Sequence, residues 1–406
     1  MEQKINNSSS KGGGREGAIL SDRLNRLAPS ATLAMSQRSS ELKAQGVDVI
    51  NMSVGEPDFN TPDHIKAAAI KAVEDNWSRY SPVPGYPELK KAIANKLKNE
   101  NGLDYAPSQI LCSNGAKQSV CNTIMALVNA GDEVIIPAPY WVSYPQMVLL
   151  AEGTPVFVEA TIEQDFKITP AQLEAAITPK TRALILCSPS NPTGSVYSKA
   201  ELEALKNVLL KYPNIIVVAD EIYEHINYVG EHASMAQFPD IKERVVIING
   251  VSKAYAMTGW RIGFAVGPKA IISNMTKMQE NVAACAPLPS QYAGIEALSG
   301  REDYSKDMID VFTERRNLLY DGLKDLPLLK CLLPEATFYM MVDVSQTGMR
   351  SIDFANSLLE KAHVAVVPGV AYGESCDNYI RIAFTIDKNR IIEGIHRITD
   401  FVHSLA

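Results

Sequence analysis

A lysine and an arginine lie close together in a stretch that follows a predicted buried strand. Residues 245–248 are apolar, and residues 249–263 read NGVSKAYAMTGWRIG, with Lys253 soon after the strand and Arg261 eight residues later. A lysine amine can form a Schiff base with an aldehyde, and a guanidinium can hold a phosphate through several hydrogen bonds. Taken alone, Lys253 would more often be an ordinary surface lysine. Its chemical interpretation therefore depends on the residues that accompany it.

Other polar groups follow other predicted strands. We predict strands at residues 110–113, 133–136, 183–187, 215–219 and 245–248, with helices near 116–129, 170–177 and 199–211. This alternation predicts an α/β fold with a mostly parallel sheet covered by helices on both faces. In such sheets, binding sites collect beyond the carboxyl ends of the strands. The residues supplied there are Gly115, Ala116, Lys117, Trp141, Asn191, Asp220 and Tyr223.

Lys253 and three of these residues fit the reactive end of pyridoxal 5'-phosphate (PLP), an aldehyde cofactor. Lys253 offers the amine, and Asp220 could keep the pyridine nitrogen protonated so that the ring withdraws electrons. Asn191 and Tyr223 are candidate hydrogen-bond donors to the phenolic oxygen of the ring. Each residue alone has an ordinary alternative, such as a turn at Asn191 or a solvated carboxylate at Asp220.

The remaining groups fit the ring face and the phosphate. Trp141 could provide a platform for the ring, although a lone tryptophan usually serves in packing. A helix that begins near Gly115 would offer free backbone N–H groups to an anion, and Arg261 would add a cation. The joint order of these groups along the chain is more specific than any one of them.

This order of motifs resembles the class I aminotransferases among the fold-type I PLP enzymes. The matching segments are VGEPDF (54–59), NGAKQ (114–118), PAPYW (137–141), NPTG (191–194), DEIY (220–223), GVSKAYAMTGWRIG (250–263) and YIR (379–381). The resemblance covers about residue 20 to the end. It implies a large domain with a mostly parallel seven-stranded sheet and a small α+β domain. We place a disordered tail at 1–19, the N-terminal segment of the small domain at 20–63, the large PLP-binding domain at 64–310 and the small C-terminal domain at 311–406.

Within the family, the chain is most similar to the bacterial-type aspartate aminotransferases, which include aspartate/prephenate aminotransferases. The resemblance implies that Arg381 binds the substrate α-carboxylate and that Gly55, Trp141 and Asn191 line the substrate site. Tyr80 matches a tyrosine that reaches the cofactor phosphate of the partner subunit, which implies a homodimer with shared active sites. Cis peptide bonds are expected before Pro139 and Pro192.

The sequence also departs from relatives. Gly250 replaces a serine that many of them use as a phosphate ligand, and Ser252 could compensate only in part. Residues 283–292 lack the arginine that animal-type enzymes use for the side-chain carboxylate. Lys117 and Thr32 match the residues that take this role in the bacterial subgroup. A cation in the first turn of a helix is unfavourable, which a binding role for Lys117 would explain; the alternative is a solvated lysine.

The function implied is ping-pong transamination of L-aspartate with 2-oxoglutarate, in which Lys253 transfers protons. Prephenate, alanine and aromatic amino acids remain alternative substrates. Elimination from a cysteine conjugate and cyclisation of a sulfonium amino acid use the same PLP-binding residues and also stay open. A non-catalytic regulatory protein on the same fold would be expected to lose Lys253, Asp220 or Arg381.

Composition limits the other classes. The net charge of −7 argues against nucleic-acid and anionic-membrane partners. The six cysteines form no CxxC pair and the six histidines no close pair, so we predict a reduced cytoplasmic protein without a metal site. No apolar run approaches the ~18 residues of a membrane span, and the N-terminus does not read as a secretory signal.

Overall fold

The computed structural model describes residues 21–28, 31–300 and 304–405, without the side chains of residues 31–34 and 304–305. The predicted tail at 1–19 lies outside the described residues. The α-helices described are α1 (Asp22–Asn25), α2 (Ala31–Ala44), α3 (Asp63–Glu74), α4 (Pro87–Asn101), α5 (Ala116–Leu127), α6 (Ser143–Leu150), α7 (Pro170–Ala176), α8 (Lys199–Leu209), α9 (Lys269–Val282), α10 (Leu288–Ala297), α11 (Tyr304–Leu323), α12 (Ser351–Ala362) and α13 (Lys388–His403).

The strands fall into three sheets. They are β1 (Ile50–Asn51), β2 (Ile110–Asn114), β3 (Glu133–Ala138), β4 (Thr154–Glu159), β5 (Thr181–Cys187), β6 (Ile216–Asp220), β7 (Val245–Gly250), β8 (Ile262–Val266), β9 (Lys330–Cys331), β10 (Tyr339–Asp343), β11 (Val364–Ala365), β12 (Val367–Pro368) and β13 (Tyr379–Ala383). No helix in the described part of the chain is both long and apolar enough to cross a bilayer.

The largest sheet has seven strands in the order β2-β8-β7-β6-β5-β3-β4. Only β8 runs against its neighbours β2 and β7, so the predicted mostly parallel sheet is confirmed. All five strands predicted from the sequence belong to it, whereas β4 and β8 were not predicted. β4 is an edge strand with several exposed side chains, and Gly263 interrupts the apolar run of β8, so both carry a weak strand signal.

Alternate residues of these strands pack into two cores on opposite faces of the sheet. Ile135 and Val217 belong to the core that α4 and α8 cover, while Val134 and Val218 belong to the core that α5 covers. Successive side chains of a strand point to opposite faces, so a strand apolar throughout is buried on both sides. The helices thus hold the carboxyl ends of β5, β6 and β7 at one edge.

The C-terminal region forms a second layer around a four-stranded sheet, β12-β13-β10-β9, in which neighbouring strands are antiparallel. β1 from the N-terminal segment pairs in parallel with β11. One core joins Met35 of α2 to Phe354 of α12 and Phe401 of α13. This contact is compatible with the predicted assignment of residues 20–63 to the small domain, while the exact domain boundaries remain a prediction.

Candidate active site

A cavity of about 820 Å³ opens where the carboxyl ends of the central strands face the small sheet. This size suits a cofactor together with a small substrate. Most of the residues singled out from the sequence line it: Gly55, Ala116, Lys117, Trp141, Asn191, Asp220, Tyr223, Ser252, Lys253, Arg261 and Arg381. The structure therefore brings together side chains that are up to about three hundred residues apart in sequence.

Lys253 follows β7 and projects toward the loop that contains Gly55. Its Nζ donates a hydrogen bond of 2.7 Å to the Gly55 carbonyl. Burial lowers the pKa of Lys253 to about 8, and the cations Arg381 and Arg261 act in the same direction, while Glu56 opposes them. A lysine with such a pKa has an appreciable neutral fraction near neutral pH, which is the form that acts as nucleophile or base.

Asp220 ends β6 and is buried beside Tyr144 of α6. The Tyr144 hydroxyl donates to Asp220 Oδ2 at 2.6 Å, and the Ile222 backbone N–H donates to Oδ1 at 3.3 Å. Burial raises the pKa of Asp220 to about 6, and these two hydrogen bonds oppose the rise. The carboxylate is thus available as a buried anion near neutral pH. The sequence analysis did not single out Tyr144.

Tyr223 belongs to a pair of buried phenols. Its hydroxyl lies 3.0 Å from that of Tyr339, which in turn donates to the Gly55 carbonyl at 3.3 Å. Tyr339 was also missed, because a tyrosine inside the apolar strand β10 reads as a core residue. The two phenols thus connect the segment after β6 to the small sheet. Tyr339 also shares the Gly55 carbonyl with Lys253 as its hydrogen-bond acceptor.

Gly115 and Arg261 form a compact anion-binding corner. Gly115 has φ +82°, and a Cβ at this position would lie 2.0 Å from Arg261 Nη2. Arg261 donates through Nη1 to the Thr258 carbonyl at 2.7 Å and through Nη2 to the Asn114 carbonyl at 3.0 Å. Each of these nitrogens retains a second N–H. Since α5 begins next to this corner, unpaired backbone N–H groups of its first turn add to the positive potential.

Arg381 of β13 occupies the opposite wall of the cavity. Nη1 donates to Asn191 Oδ1 at 3.1 Å and Nη2 to the Ser53 carbonyl at 2.8 Å, whereas the buried Nε has no partner within the described structure. The guanidinium stacks over the Tyr339 ring, 4.2 Å from its centroid. A buried, fixed cation with spare donors is suited to bind a carboxylate.

Lys117 lies in the first turn of α5, as predicted. Its Nζ is 5.0 Å from the centroid of the Trp141 ring, and its pKa is lowered by burial and by Arg261. No carboxylate of the described residues forms a salt bridge with it. Lys117 is therefore a second cation in the cavity, separate from Arg381. Thr32 lies in α2, and its side chain is outside the described residues.

Tyr80 is placed differently from the other candidate residues. It is 92% exposed and does not line the cavity of its own chain. The role inferred for it in a partner's site stays a prediction.

The active-site wall contains the cis peptide bonds expected before Pro139 and Pro192, which confirms that prediction. A third cis bond, Ser188–Pro189, was not predicted.

The fold and the cavity define a class of enzyme that comparison with known proteins identifies. Residues 47–398 match the family Aminotransferase class I and II, and the chain belongs to this family of aminotransferase enzymes. The resemblance drawn from the motifs is thus confirmed.

Individual relatives are similar over nearly their whole length. The chain is 46% identical over 396 residues to the aspartate/prephenate aminotransferase of Nitrosomonas europaea, covering 94% of this chain and 99% of the relative. It is 46% identical to an aspartate aminotransferase of a Bacillus species, covering 95% and 99%. The solved aspartate aminotransferase of Rhizobium meliloti superposes with a TM-score of 0.92 at 40% identity, covering 95% and 99%. That of Thermus thermophilus with maleate gives 0.90 at 39%, covering 94% and 99%.

Proposed function

We propose that the chain is a PLP-dependent aspartate aminotransferase, which converts L-aspartate and 2-oxoglutarate to oxaloacetate and L-glutamate by a ping-pong mechanism. The observation that carries the proposal is the arrangement of charges in one cavity. A lysine of lowered pKa lies with a buried carboxylate and an anion-binding corner, and two further cations face the remaining space.

The residues present fit PLP. The corner at Gly115 and Arg261 leaves N–H donors for a phosphate, and a side chain at Gly115 would displace the guanidinium. Asp220 would accept a hydrogen bond from the pyridine nitrogen, and Tyr223 and Asn191 are available to the phenolic oxygen. Ser252 lines the cavity and would add to the phosphate site, and Trp141 would cover the ring. When bound, PLP supplies an electron sink for the electrons left when the substrate α-proton is removed.

The protein's own residues would bind the substrate and move the proton. Arg381 holds the α-carboxylate through its fork of donors, so that the α-carbon lies near Lys253. Lys253, as a neutral amine, would take the substrate α-proton at Nζ and later give it up again, acting first as base and then as acid. Enclosure between the two domains would exclude water from this transfer.

A dicarboxylic substrate explains the second cation. Aspartate carries one carboxylate for Arg381 and one for Lys117, whereas alanine would leave Lys117 without an anion. Two of the relatives are named aspartate aminotransferases, and the Thermus thermophilus structure holds maleate, also a dicarboxylate. Prephenate is the second candidate, because it too has two carboxylates and several relatives are named aspartate/prephenate aminotransferases.

We also propose a homodimer in which Tyr80 completes the partner's phosphate site. Large apolar side chains are exposed on α3 and in the segment that follows it, with Ile70 58% exposed and Val73 62% exposed. A second copy of the chain would cover such a surface. We further propose a cytoplasmic location, in keeping with the six cysteines, which are all free thiols. Light scattering would give the mass, and Tyr80→Ala should weaken PLP binding if the subunits share their sites.

The direct test is a pair of half-reactions on the PLP-loaded protein. Aspartate, glutamate, alanine and phenylalanine are added singly while the visible spectrum of the bound cofactor is followed, and oxaloacetate, 2-oxoglutarate or prephenate is then added to restore it. We expect fast cycling with aspartate and 2-oxoglutarate. Equally fast cycling with prephenate would make the enzyme a dual one. Release of pyruvate and ammonia would indicate elimination, and no spectral change with any donor would refute the proposal.

A further inference from the structure

A short hydrogen bond joins Tyr144, which has no role in the proposed reaction so far, to the Asp220 carboxylate. Both side chains are buried, at 2% and 4% exposure, and the Tyr144 hydroxyl donates to Oδ2 at 2.6 Å. Hydrogen bonds of this length to a carboxylate are among the strong ones in proteins. Tyr144 comes from α6, whereas Asp220 ends β6, so the contact fixes the carboxylate from outside its own strand.

The tyrosine is itself held in place. The Trp141 ring packs edge-on against the Tyr144 ring, with centroids 5.3 Å apart. The pKa of Tyr144 is raised well above its ordinary value by burial and by the adjacent Asp220, so the phenol keeps its proton. Tyr144 is therefore the donor in its contact with the Asp220 carboxylate.

We propose that Tyr144 is a positioning residue for the pyridine nitrogen of PLP: it aims the Asp220 carboxylate and keeps the shared proton on the nitrogen rather than on Asp220. The inference rests on the proposed cofactor. A hydrogen bond to a carboxylate makes that carboxylate a weaker base. Since the ring nitrogen and Asp220 compete for one proton, a weaker base at Asp220 leaves the proton on the ring, where it is needed for electron withdrawal.

Other groups around Asp220 also affect whether its carboxylate is ionised. Lys253 favours the ionised carboxylate and Glu221 disfavours it. Desolvation, and secondarily the nearby Asp220, raise the pKa of the partly exposed Cys187 thiol to about 12. The thiol therefore stays neutral. Within the described structure, the Asp220 carboxylate accepts two hydrogen bonds from uncharged groups, one from the Ile222 backbone N–H and one from the Tyr144 hydroxyl.

The test is the substitution Tyr144→Phe, which removes the hydroxyl and keeps the ring. The full-length enzyme is loaded with PLP labelled with ¹⁵N in the ring, and the nitrogen signal is compared among wild type, Tyr144→Phe and Asp220→Asn. Asp220→Asn gives the unprotonated limit. We expect the Tyr144→Phe signal to move measurably toward that limit, with kcat for the amino donor about tenfold lower and KM within about twofold.

Tyr197→Phe is the matched control. Tyr197 is another buried tyrosine, and it loses one hydrogen bond in the variant, that from the Ile168 backbone N–H at 2.8 Å. In Tyr197→Phe, the ¹⁵N signal of the PLP ring should equal that in wild type. An unchanged signal in Tyr144→Phe, an equal shift in both variants, or an unprotonated nitrogen in wild type would overturn the proposal. If the nitrogen shifts as expected but aspartate does not react with wild type, the proposed substrate fails and the role of Tyr144 stands.

Discussion

The two halves of the active-site cavity are built in different ways. In the proposed cofactor half, Asp220, Lys253 and Arg261 come from the ends of neighbouring strands, and backbone groups fix each of them. In the proposed substrate half, Arg381 comes from the small sheet and Lys117 from the first turn of α5. The first half is supplied by the edge of the large sheet, whereas the second combines a residue of the small sheet with one of α5. Cofactor binding and substrate choice should therefore respond to different mutations.

The largest effect should follow from Lys253→Ala. Without the amine, no group at this position can transfer the α-proton, and we expect the half-reaction with aspartate to slow at least about a thousandfold. The rate is measured by stopped-flow absorbance. Added methylamine should restore part of the rate in this variant and leave wild type unchanged. A variant that retains more than a tenth of the rate would assign the proton transfer to another residue.

The next effect should come from Arg381→Lys, which keeps the charge and loses the fork of donors. We expect kcat/KM for aspartate to fall about a hundredfold, because a buried bidentate partner of the α-carboxylate is lost. PLP affinity, measured by titration of the cofactor-free protein, should change by less than about threefold. An equal loss of cofactor affinity would contradict the division of the cavity into two halves.

In the cofactor half, the raised pKa of Asp220 should make the stability of the fold depend on pH. The pKa of Asp220 in the folded protein is about 6, above its ordinary 3.8, so the folded state binds the proton more tightly than the unfolded state. This contribution to stability is present below pH ~4 and is lost as the pH rises through ~6.

Asp220→Asn lacks this titration. In the cofactor-free protein, its free energy of unfolding relative to wild type should therefore rise by about 2.4 kcal/mol between pH 4 and pH 7. Denaturant unfolding at several pH values measures the difference. Asp325→Asn, at an exposed position, controls for the loss of one negative charge. A difference that falls with pH would reverse the sign of the inferred pKa shift.

The two halves also differ in how much of them could be predicted from the sequence. The cofactor half follows from residues placed directly after apolar strands, so the strand pattern brought Asp220, Lys253 and Gly115 to one edge. Tyr144 could not be found in this way, because α6 is a short helix that contains Pro145 and shows no clear apolar periodicity. Tyr339 was hidden for a similar reason in β10. Both act through contacts between distant elements, which local patterns do not encode.

The substrate half was reached from the sequence only through family resemblance. Nothing in the local pattern of residues 379–383 shows that Arg381 would be buried and would stack on Tyr339. Lys117 gave one physical signal, a cation at a helix N-terminus, and the structure places it in the cavity without an acidic partner among the described residues.

Lys117→Gln tests where the cofactor half ends and the substrate half begins, because Lys117 borders both halves of the cavity. Lys117 is exposed, so solvent screens its attraction for the second carboxylate, and the substitution should lower kcat/KM for aspartate by about fivefold. Alanine, which has no second carboxylate, should react at an unchanged rate. The control Lys98→Gln, at an exposed position of α4, should change the rate with neither substrate. The ratio of the two substrates' kcat/KM values is the measurement. An equal loss for aspartate and alanine would instead assign Lys117 to the phosphate corner beside Arg261, which adds to desolvation in lowering the pKa of Lys117.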